Sequence, residues 1–219
     1  MPSGEDLTDS SDTMGDSPQQ LVADGYDAIS EAYLSRFGAS QVRAHWLRRL
    51  VDLTQPGDRI LDLGCGPGVP VASTLVDHGR QVVGVDGSRR QIELARSHVT
   101  SAQFIEADMC RLQMNPASFD GVCAFYSITH LPREFHRPLF EHILKWLRPG
   151  GVFLASLGVV ETEAWTGEWM GAQMFFSHFD AQWYVECLQQ VAFQIEVAEI
   201  VAQDDEDGEF LWIVARRPA

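Results

Sequence analysis

Apolar and polar positions alternate between two periodicities from residue 59 onward. Short apolar runs, typical of buried strands, are followed by segments in which apolar residues recur every three or four positions, as in amphipathic helices. The clearest helix covers residues 134–147 and ends before Pro149-Gly150-Gly151. This alternation predicts βαβ units, and therefore a parallel sheet with helices on both faces. The predicted strands cover residues 59–63, 81–85, 103–105, 119–124 and 152–157, and the other helices residues 69–78 and 88–97.

The two ends of the chain depart from this alternation. Helices are predicted over residues 19–36, 41–53 and 180–191. Apolar-rich strands over residues 193–202 and 210–215 then flank an acidic, glycine-containing stretch, and this pattern predicts an antiparallel hairpin. A chain of 219 residues is long enough for one ordinary domain. We therefore expect the α/β class, with a three-layer sandwich over residues 19–219 and an N-terminal helical cap.

Charge is unevenly distributed along the chain. The formal net charge is −15, and ten acidic residues lie in two runs, five within residues 1–18 and five within residues 204–209. The remainder still holds 21 acidic against 16 basic residues, which disfavours a nucleic-acid partner because phosphate binding needs a basic surface. Residues 1–18 are rich in Ser, Asp, Gly and Pro and are predicted to form a disordered tail, not a targeting signal.

Two further patterns limit the function. No run of 18 apolar residues occurs, so no membrane span is expected. Cys65, Cys110, Cys123 and Cys187 show neither CxxC pairing nor metal-ligand spacing. We therefore expect a reduced, cytoplasmic protein without a metal site. For its oligomeric state, either a monomer or a homodimer is expected.

A glycine-rich turn follows the first predicted strand. Gly64, Gly66 and Gly68 lie between this strand and a helix, where backbone can turn tightly and approach a ligand. Asp86 ends the second strand, where a carboxylate can accept hydrogen bonds from both hydroxyls of a ribose. Each feature alone is also found in an ordinary turn. The dinucleotide fingerprint G-x-G-x-x-G is not matched, because Val69 occupies the place of its third glycine.

The ordered set of motifs over about residues 59–157 resembles that of class I methyltransferases that depend on S-adenosylmethionine (SAM). The segments that carry the resemblance are Asp62–Gly68, Val83–Ser88, Glu106–Met109, Phe119–Val122 and Leu147–Gly151. The resemblance implies a Rossmann-like, seven-stranded sheet of order 3-2-1-4-5-7-6 with strand seven antiparallel. It also implies SAM as cofactor and S-adenosylhomocysteine (SAH) as product.

The resemblance further implies roles for individual residues. Asp62 would hold the SAM amino group, together with the main-chain carbonyl of Phe125. The loop Gly64-Cys65-Gly66 and Gly68 would pass under the methionine part, and Asp86 would bind the ribose. Around the adenine would lie Gly87, Ser88, Asp108 and Met109. Tyr26 and Tyr33 of the first helix are candidates for covering the SAM carboxylate, although their spacing also fits ordinary helix packing.

The acceptor side is expected after strands four and five. His130, in Tyr126–Pro132, is the first candidate for a base or a substrate-orienting residue; alternatively, it only packs near the cofactor. Residues 161–179 are rich in aromatic rings and methionine and lie outside any predicted strand. They are expected to form either an apolar lid over the acceptor or a short helix on the sheet edge. This stretch contributes two further base candidates, His178 and Glu161. The candidates for the wall around the acceptor are Tyr126, Trp165, Trp169, Met174 and Phe175.

These features predict a SAM-dependent methyltransferase that acts on a small, apolar or aromatic molecule, most readily at oxygen. Methylation at nitrogen or sulfur stays open, and a tryptophan-rich wall could also bind a cationic amine. A protein that binds SAM without transferring its methyl group is the alternative from another class. An oxidoreductase that uses a nicotinamide cofactor is disfavoured by Val69 and by the terminal hairpin.

Overall fold

A seven-stranded sheet forms the middle layer of the protein, seen in a computed structural model that describes residues 17–204 and 208–219. Its strands are β1 (Arg59–Leu63), β2 (Gln81–Asp86), β3 (Gln103–Glu106), β4 (Phe119–Ala124), β5 (Leu147–Leu157), β8 (Gln194–Ala202) and β9 (Glu209–Arg216). Strands β6 (Thr162–Trp169) and β7 (Ala172–His178) form a separate pair.

The order of the strands in the sheet is β3-β2-β1-β4-β5-β9-β8. The pairs from β3 to β5 are parallel, whereas β9 runs antiparallel to both of its neighbours. The predicted α/β class and strand order are thus confirmed, with β8 and β9 as the predicted terminal hairpin. Strand β5 begins five residues before its predicted start and includes the Pro149-Gly150-Gly151 segment.

Six α-helices within the described residues cover this sheet and its edges, and several begin at side-chain caps. Ser17, Ser40, Ser88 and Asp180 each accept a hydrogen bond from a backbone N–H in the first turn of the following helix. The helices are α1 (Pro18–Phe37), α2 (Gln41–Leu53), α3 (Val71–Asp77), α4 (Arg89–His98), α5 (His136–Trp146) and α6 (Ala181–Gln190).

Alternate residues of the central strands point into two separate cores. Leu61 and Leu63 of β1 face the core that is closed by α5 and α6, whereas Ile60 faces the core that is closed by α2, α3 and α4. The central strands are buried on both faces, as expected of parallel strands covered by helices on both sides. Trp46 of α2 stacks on Trp212 of β9, with ring centroids 5.1 Å apart.

The segment after β5 differs from the prediction. Residues 161–179 were expected to contain no strand, but most of them form the antiparallel hairpin β6–β7. The two residues of the turn, Met170 and Gly171, have φ values of 53° and 85°. Tight two-residue hairpin turns of this kind need positive φ at both central positions, which glycine adopts at low cost. The prediction of a helix or an irregular lid was therefore wrong in its secondary structure.

Some expectations lie partly outside the described residues. The predicted tail spans residues 1–18, of which residues 1–16 lie outside the described residues. Residues 205–207, in the acidic stretch between β8 and β9, also lie outside them. Ser17 and Pro18 are the cap and the first residue of α1. No helix within the described ranges is both long and apolar enough to cross a bilayer.

Helix α1 packs closely on the β6–β7 hairpin and on α4. At Gly25, an added Cβ would lie 2.7 Å from the carbonyl oxygen of Gln173 and 2.8 Å from the side chain of Met174. Asp27, two residues further along α1, accepts hydrogen bonds from the hydroxyl of Ser88 and from the backbone N–H of Arg90. The absence of a side chain at Gly25 thus sets the distance between the helix and the hairpin.

We expect Gly25→Val to destabilise the protein, because the new side chain overlaps the backbone and the side chain of β7. Overpacking of this kind costs about 1–3 kcal/mol. Urea unfolding of the variant measures the cost. The control is Ala28→Val, at an exposed position of the same helix. Equal stability of the two variants would contradict the close packing at Gly25.

Candidate functional site

A cavity of about 400 Å³ lies at the carboxyl-terminal edge of the sheet. Ligands of open α/β sheets bind at this edge, and the volume is within the range of small-molecule sites. Helix α1 and the segments after β1 to β4 contribute its walls. It is lined by twelve residues that the sequence singled out: Tyr26, Tyr33, Gly64, Gly66, Asp86, Gly87, Ser88, Asp108, Met109, Phe125, Tyr126 and His130.

The glycine turn after β1 forms the floor of the cavity. Gly64 has a φ of 75°, and an added Cβ would lie 2.2 Å from the Cβ of Ser127. Gly66 has a φ of 52°, and no atom lies within 4 Å of the position that its Cβ would take. The backbone is therefore closely packed from below at Gly64 and open toward the cavity at Gly66.

Asp86 at the end of β2 holds this turn in place. One carboxylate oxygen accepts from the backbone N–H of Gly66 at 2.8 Å, and the other accepts from the N–H of Ser88 at 2.9 Å. Removal from solvent raises the pKa of Asp86 from 3.8 to about 6, although both hydrogen bonds lower it. A carboxylate has about four acceptor positions, so Asp86 can still accept from two ligand hydroxyls.

Asp62 lies behind the glycine turn and is fully buried. One of its oxygens is 3.4 Å from the Sγ of Cys123, and the other has no hydrogen-bond partner among the described residues. Burial, and to a smaller extent the nearby carboxyl of Asp86, raises the pKa of Asp62 from 3.8 to about 7. A buried polar atom without a partner is rare in native proteins and points to an absent ligand or water.

The other predicted cofactor residues fall into two groups. Met109 and Asp108 line the cavity beyond Asp86, and Asp108 also accepts from the backbone N–H of Cys110 at 2.8 Å. Gly68 and the side chain of Cys65 do not line it within the described structure. Gly68 instead packs against α4, and Cys65 belongs to the core between the sheet and α2–α4.

Tyr26 and His130 meet at the wall of the cavity. The Tyr26 hydroxyl lies 2.9 Å from Nε2 of His130, and Nδ1 of His130 lies 2.9 Å from the carbonyl oxygen of Phe175. A carbonyl only accepts, so Nδ1 carries the proton and Nε2 accepts from Tyr26. Burial lowers the pKa of His130 to about 4, so the ring is neutral near pH 7.

A second, aromatic chamber of about 60 Å³ shares Tyr26, Tyr33, Tyr126 and His130 with the first cavity. Trp169 of the hairpin also lines this chamber, as predicted for an acceptor wall. Five further residues line the chamber without having been predicted as site residues: Phe37, Arg43, Thr129, Phe176 and Phe210. Of these, Phe176 belongs to the aromatic stretch 161–179 that was expected to form a lid.

The burial of Arg43 could have been predicted from the sequence. It stands at the start of the i, i+3, i+4, i+7 row Arg43, Trp46, Leu47 and Leu50, whose side chains are all buried in the structure. An arginine on the apolar stripe of a helix indicates that the cation is buried.

Five predicted residues lie away from both cavities. Glu161 pairs with Arg133 at 2.8 Å, and Nδ1 of His178 lies 2.6 Å from the carbonyl oxygen of Val160. Trp165 is on the outer side of the hairpin and is 43% exposed. Met174 packs under Gly25, and Phe175 is buried and contributes its carbonyl to His130. Glu161 and His178 thus have structural partners at the base of the hairpin.

The sheet order, the glycine turn and the acid at the end of β2 together define the Rossmann-like fold of class I SAM-dependent methyltransferases. A SAM-dependent methyltransferase from Methanosarcina mazei has the same fold, with a TM-score of 0.70 at 19% identity over 78% of this chain and 97% of that chain. Residues 60–151 match the family described as a methyltransferase domain. The predicted resemblance is therefore confirmed.

Two curated relatives are also methyltransferases by name. 27-O-demethylrifamycin SV methyltransferase of Amycolatopsis mediterranei is 30% identical over 152 residues, which are 59% of this chain and 55% of that protein. 24-methylenesterol C-methyltransferase 2 of Oryza sativa subsp. japonica is 30% identical over 115 residues, which are 49% of this chain and 31% of that protein. The chain thus spans about half, or less, of the length of these relatives.

The described residues fit SAM chemically. The oxygen of Asp62 without a partner suits an ammonium group, and the open face of Gly66 leaves room for a chain that passes over it. Asp86 suits a ribose diol. No group of three or more His, Cys, Asp or Glu residues arranged to hold a metal ion occurs in residues 17–204 and 208–219.

We expect Asp86→Ala to weaken SAH binding by about 1.5–3 kcal/mol, because hydrogen bonds to a charged acceptor are lost. In the unchanged protein, the affinity should rise as the pH increases through about 6, where Asp86 ionises. Calorimetric titrations with SAH from pH 5 to pH 8 measure both effects. Asp86→Asn, which keeps the shape of the side chain, should bind weakly and without this pH dependence. Undiminished affinity in Asp86→Ala would contradict the ribose assignment.

We expect Asp62→Asn to stabilise the ligand-free protein at pH 8. The pKa of Asp62 is raised in the folded state, so the native protein binds a proton more tightly than the unfolded chain between about pH 4 and 7. The free energy of unfolding therefore falls as the pH rises through this window. At about 1.4 kcal/mol per pH unit the fall between pH 4 and pH 7 amounts to about 4 kcal/mol, and the neutral Asn side chain should recover part of it at pH 8.

Thermal unfolding of the Asp62→Asn variant at pH 5, 6, 7 and 8, without ligand, measures this effect. Asp77→Asn, at an exposed position at the end of α3, is the control and should follow the unchanged protein. A variant at Asp62 with an unaltered pH dependence would show that burial does not penalise this carboxylate.

Proposed function

We propose that the protein is a SAM-dependent methyltransferase that methylates a small, apolar or aromatic molecule at an oxygen atom. The observation that carries this proposal is the pair Tyr26–His130, which lies in the wall common to the large cavity and the aromatic chamber. One space suits SAM and the adjoining space suits a flat acceptor. A proton-accepting pair therefore lies where the two molecules meet.

The large cavity would hold SAM through the residues that line it or lie behind it. Asp86 would bind the ribose, Asp108 and Met109 would bind the adenine, and Asp62 with the Phe125 carbonyl would bind the amino group. When bound there, SAM supplies a methyl group on a positively charged sulfur, which an acceptor atom displaces in line. The protein then has to align the acceptor, exclude water and remove a proton.

Tyr26 and His130 remove that proton. The proton of an acceptor hydroxyl passes to the oxygen of Tyr26, whose own proton passes to Nε2 of His130. The carbonyl of Phe175 faces Nδ1–H and favours the imidazolium that results. Because SAM would bring one positive charge into the site and the transfer would neutralise it, protonation of His130 would leave the net charge of the site unchanged. The low pKa of His130 means that its protonation is unfavourable in the ligand-free site, and the unchanged net charge would offset this cost.

The aromatic chamber supports a flat acceptor. The rings of Phe37 and Trp169 are stacked with centroids 5.8 Å apart, and Phe176 lies 4.4 Å from the His130 ring. Aromatic walls with a few polar groups are typical of small-molecule sites. The name of the relative from Amycolatopsis mediterranei, an O-demethylrifamycin methyltransferase, is consistent with an oxygen acceptor.

The first experiment is an acceptor screen that measures SAH release from SAM with phenols, catechols and aromatic amines. We expect release with hydroxyl acceptors. Release with amines alone would replace oxygen by nitrogen in the proposal. Tight binding of SAH without release for any acceptor would favour a protein that binds SAM without transferring methyl groups.

With the best phenol, we expect His130→Ala and Tyr26→Phe to lower kcat about 10²–10⁴-fold, the usual contribution of a general base. SAH affinity should change little. The matched control is His178→Ala, because Nδ1 of His178 also lies against a backbone carbonyl but its ring lies outside both cavities. Full turnover in both Tyr26→Phe and His130→Ala would rule out the proposed base.

A further inference from the structure

The aromatic chamber is too small for the acceptor that the proposed function requires. Its volume is about 60 Å³. One water molecule takes about 30 Å³, and a cavity of about 150 Å³ binds a single benzene ring. Even a phenol therefore enters the chamber only if part of the wall moves. The residue that moves then determines the size and shape of the acceptor.

Much of the wall is fixed by hydrogen bonds or by burial in the core. The hydroxyl of Tyr126 donates to the side-chain oxygen of Gln203 at 2.6 Å, and Nδ1–H of His130 donates to the carbonyl of Phe175 at 2.9 Å. Phe37 is 4% exposed. Movement of any of these side chains would break a hydrogen bond or leave a void in the core, and both are costly.

Trp169 differs from these wall residues in its position. It is the last residue of β6, next to the turn Met170-Gly171, and it is half-buried. Its hairpin lies outside the seven-stranded sheet, and β7, not β6, packs on α1 at Gly25. The indole can therefore turn outward at the tip of the hairpin without disturbing the two cores that flank the central sheet.

The contacts of this indole are contacts that another flat ring can make. Its plane lies within 6° of the plane of Phe37, with ring centroids 5.8 Å apart. The rings of Tyr26, Tyr33 and Phe176 surround it at centroid distances of 6.4, 6.2 and 5.9 Å. Aromatic rings attract one another in stacked and edge-to-face arrangements. An aromatic acceptor in the place of the indole therefore regains much of the attraction that displacement of the indole loses.

We propose that Trp169 occupies the place of the acceptor ring and that the acceptor binds by displacing its indole. The inference rests on the proposed function, because it concerns how the acceptor enters the same site. The space that the indole leaves has the size of a bicyclic ring, since indole is itself bicyclic. The favoured acceptors are then hydroxylated bicyclic aromatic molecules, and the Tyr26–His130 pair borders the space that they enter.

The first test observes Trp169 directly by fluorine NMR in the protein saturated with SAH. The tryptophans are replaced by 5-fluorotryptophan, and the variants Trp169→Phe and Trp165→Phe assign two of the signals. On addition of 2-naphthol, the signal of Trp169 should shift and acquire the solvent isotope effect of an exposed ring. Trp165 lies in the same strand but away from both cavities, and its solvent exposure should not change.

The second test is calorimetry of Trp169→Ala with phenol and 2-naphthol, again in the presence of SAH. The free-energy cost of moving the indole is the same for both ligands. The variant should therefore bind both more tightly by the same factor, about 10–100-fold. Truncation of a fixed wall would instead favour 2-naphthol alone, which fills the new hole, or weaken both ligands. Trp165→Ala is the matched control and should leave both affinities unchanged.

The proposal is overturned if the Trp169 signal stays protected from solvent while 2-naphthol binds, or if Trp169→Ala gains affinity for 2-naphthol alone. It is also overturned if the unchanged protein binds neither phenol nor 2-naphthol. These outcomes are distinct from failure of the proposed function, in which the unchanged protein binds no SAH or releases none from SAM with any acceptor. In that case, 2-naphthol is titrated without SAH, and an unmoved Trp169 signal overturns the displacement as well.

Discussion

The site depends on two carboxylates, one buried and one partly buried, near the carboxyl ends of adjacent parallel strands. Asp62 and Asp86 belong to β1 and β2, and burial raises the pKa of both. Backbone N–H groups of the glycine turn compensate Asp86 in part, whereas Asp62 keeps an oxygen without a partner. The ligand-free site therefore stores unfavourable electrostatic energy that a ligand with hydroxyl and ammonium groups relieves.

The cap over the sheet completes this site with aromatic and polar groups. Helix α1 brings Tyr26 to His130, and β7 supplies the carbonyl of Phe175 that fixes the protonated nitrogen of the ring. The close approach at Gly25 lets both elements reach the same histidine. The catalytic proposal thus depends on three segments far apart in sequence that only the fold brings together.

Much of the fold was predictable, because buried parallel strands alternate with amphipathic helices and the motifs lie where these elements join. Asp86, Asp108 and Gly66 follow from their positions at strand ends, where topology leaves little freedom. The hairpin β6–β7 was not predicted, since its strands are apolar mainly where they meet α1 and its turn signal is a single glycine, Gly171. The positions of His178 and Glu161 depended on that hairpin and could not be read from spacing.

Tyr26 and Tyr33 face both the large cavity and the aromatic chamber. Any rotation of these rings, or any shift of α1, therefore changes the volume of both spaces together. A ligand that moves these rings in one space would alter the affinity of the other space, and thermodynamic linkage would make the effect equal in both directions. Under the proposed function, the shared aromatic wall would couple the binding of cofactor and acceptor.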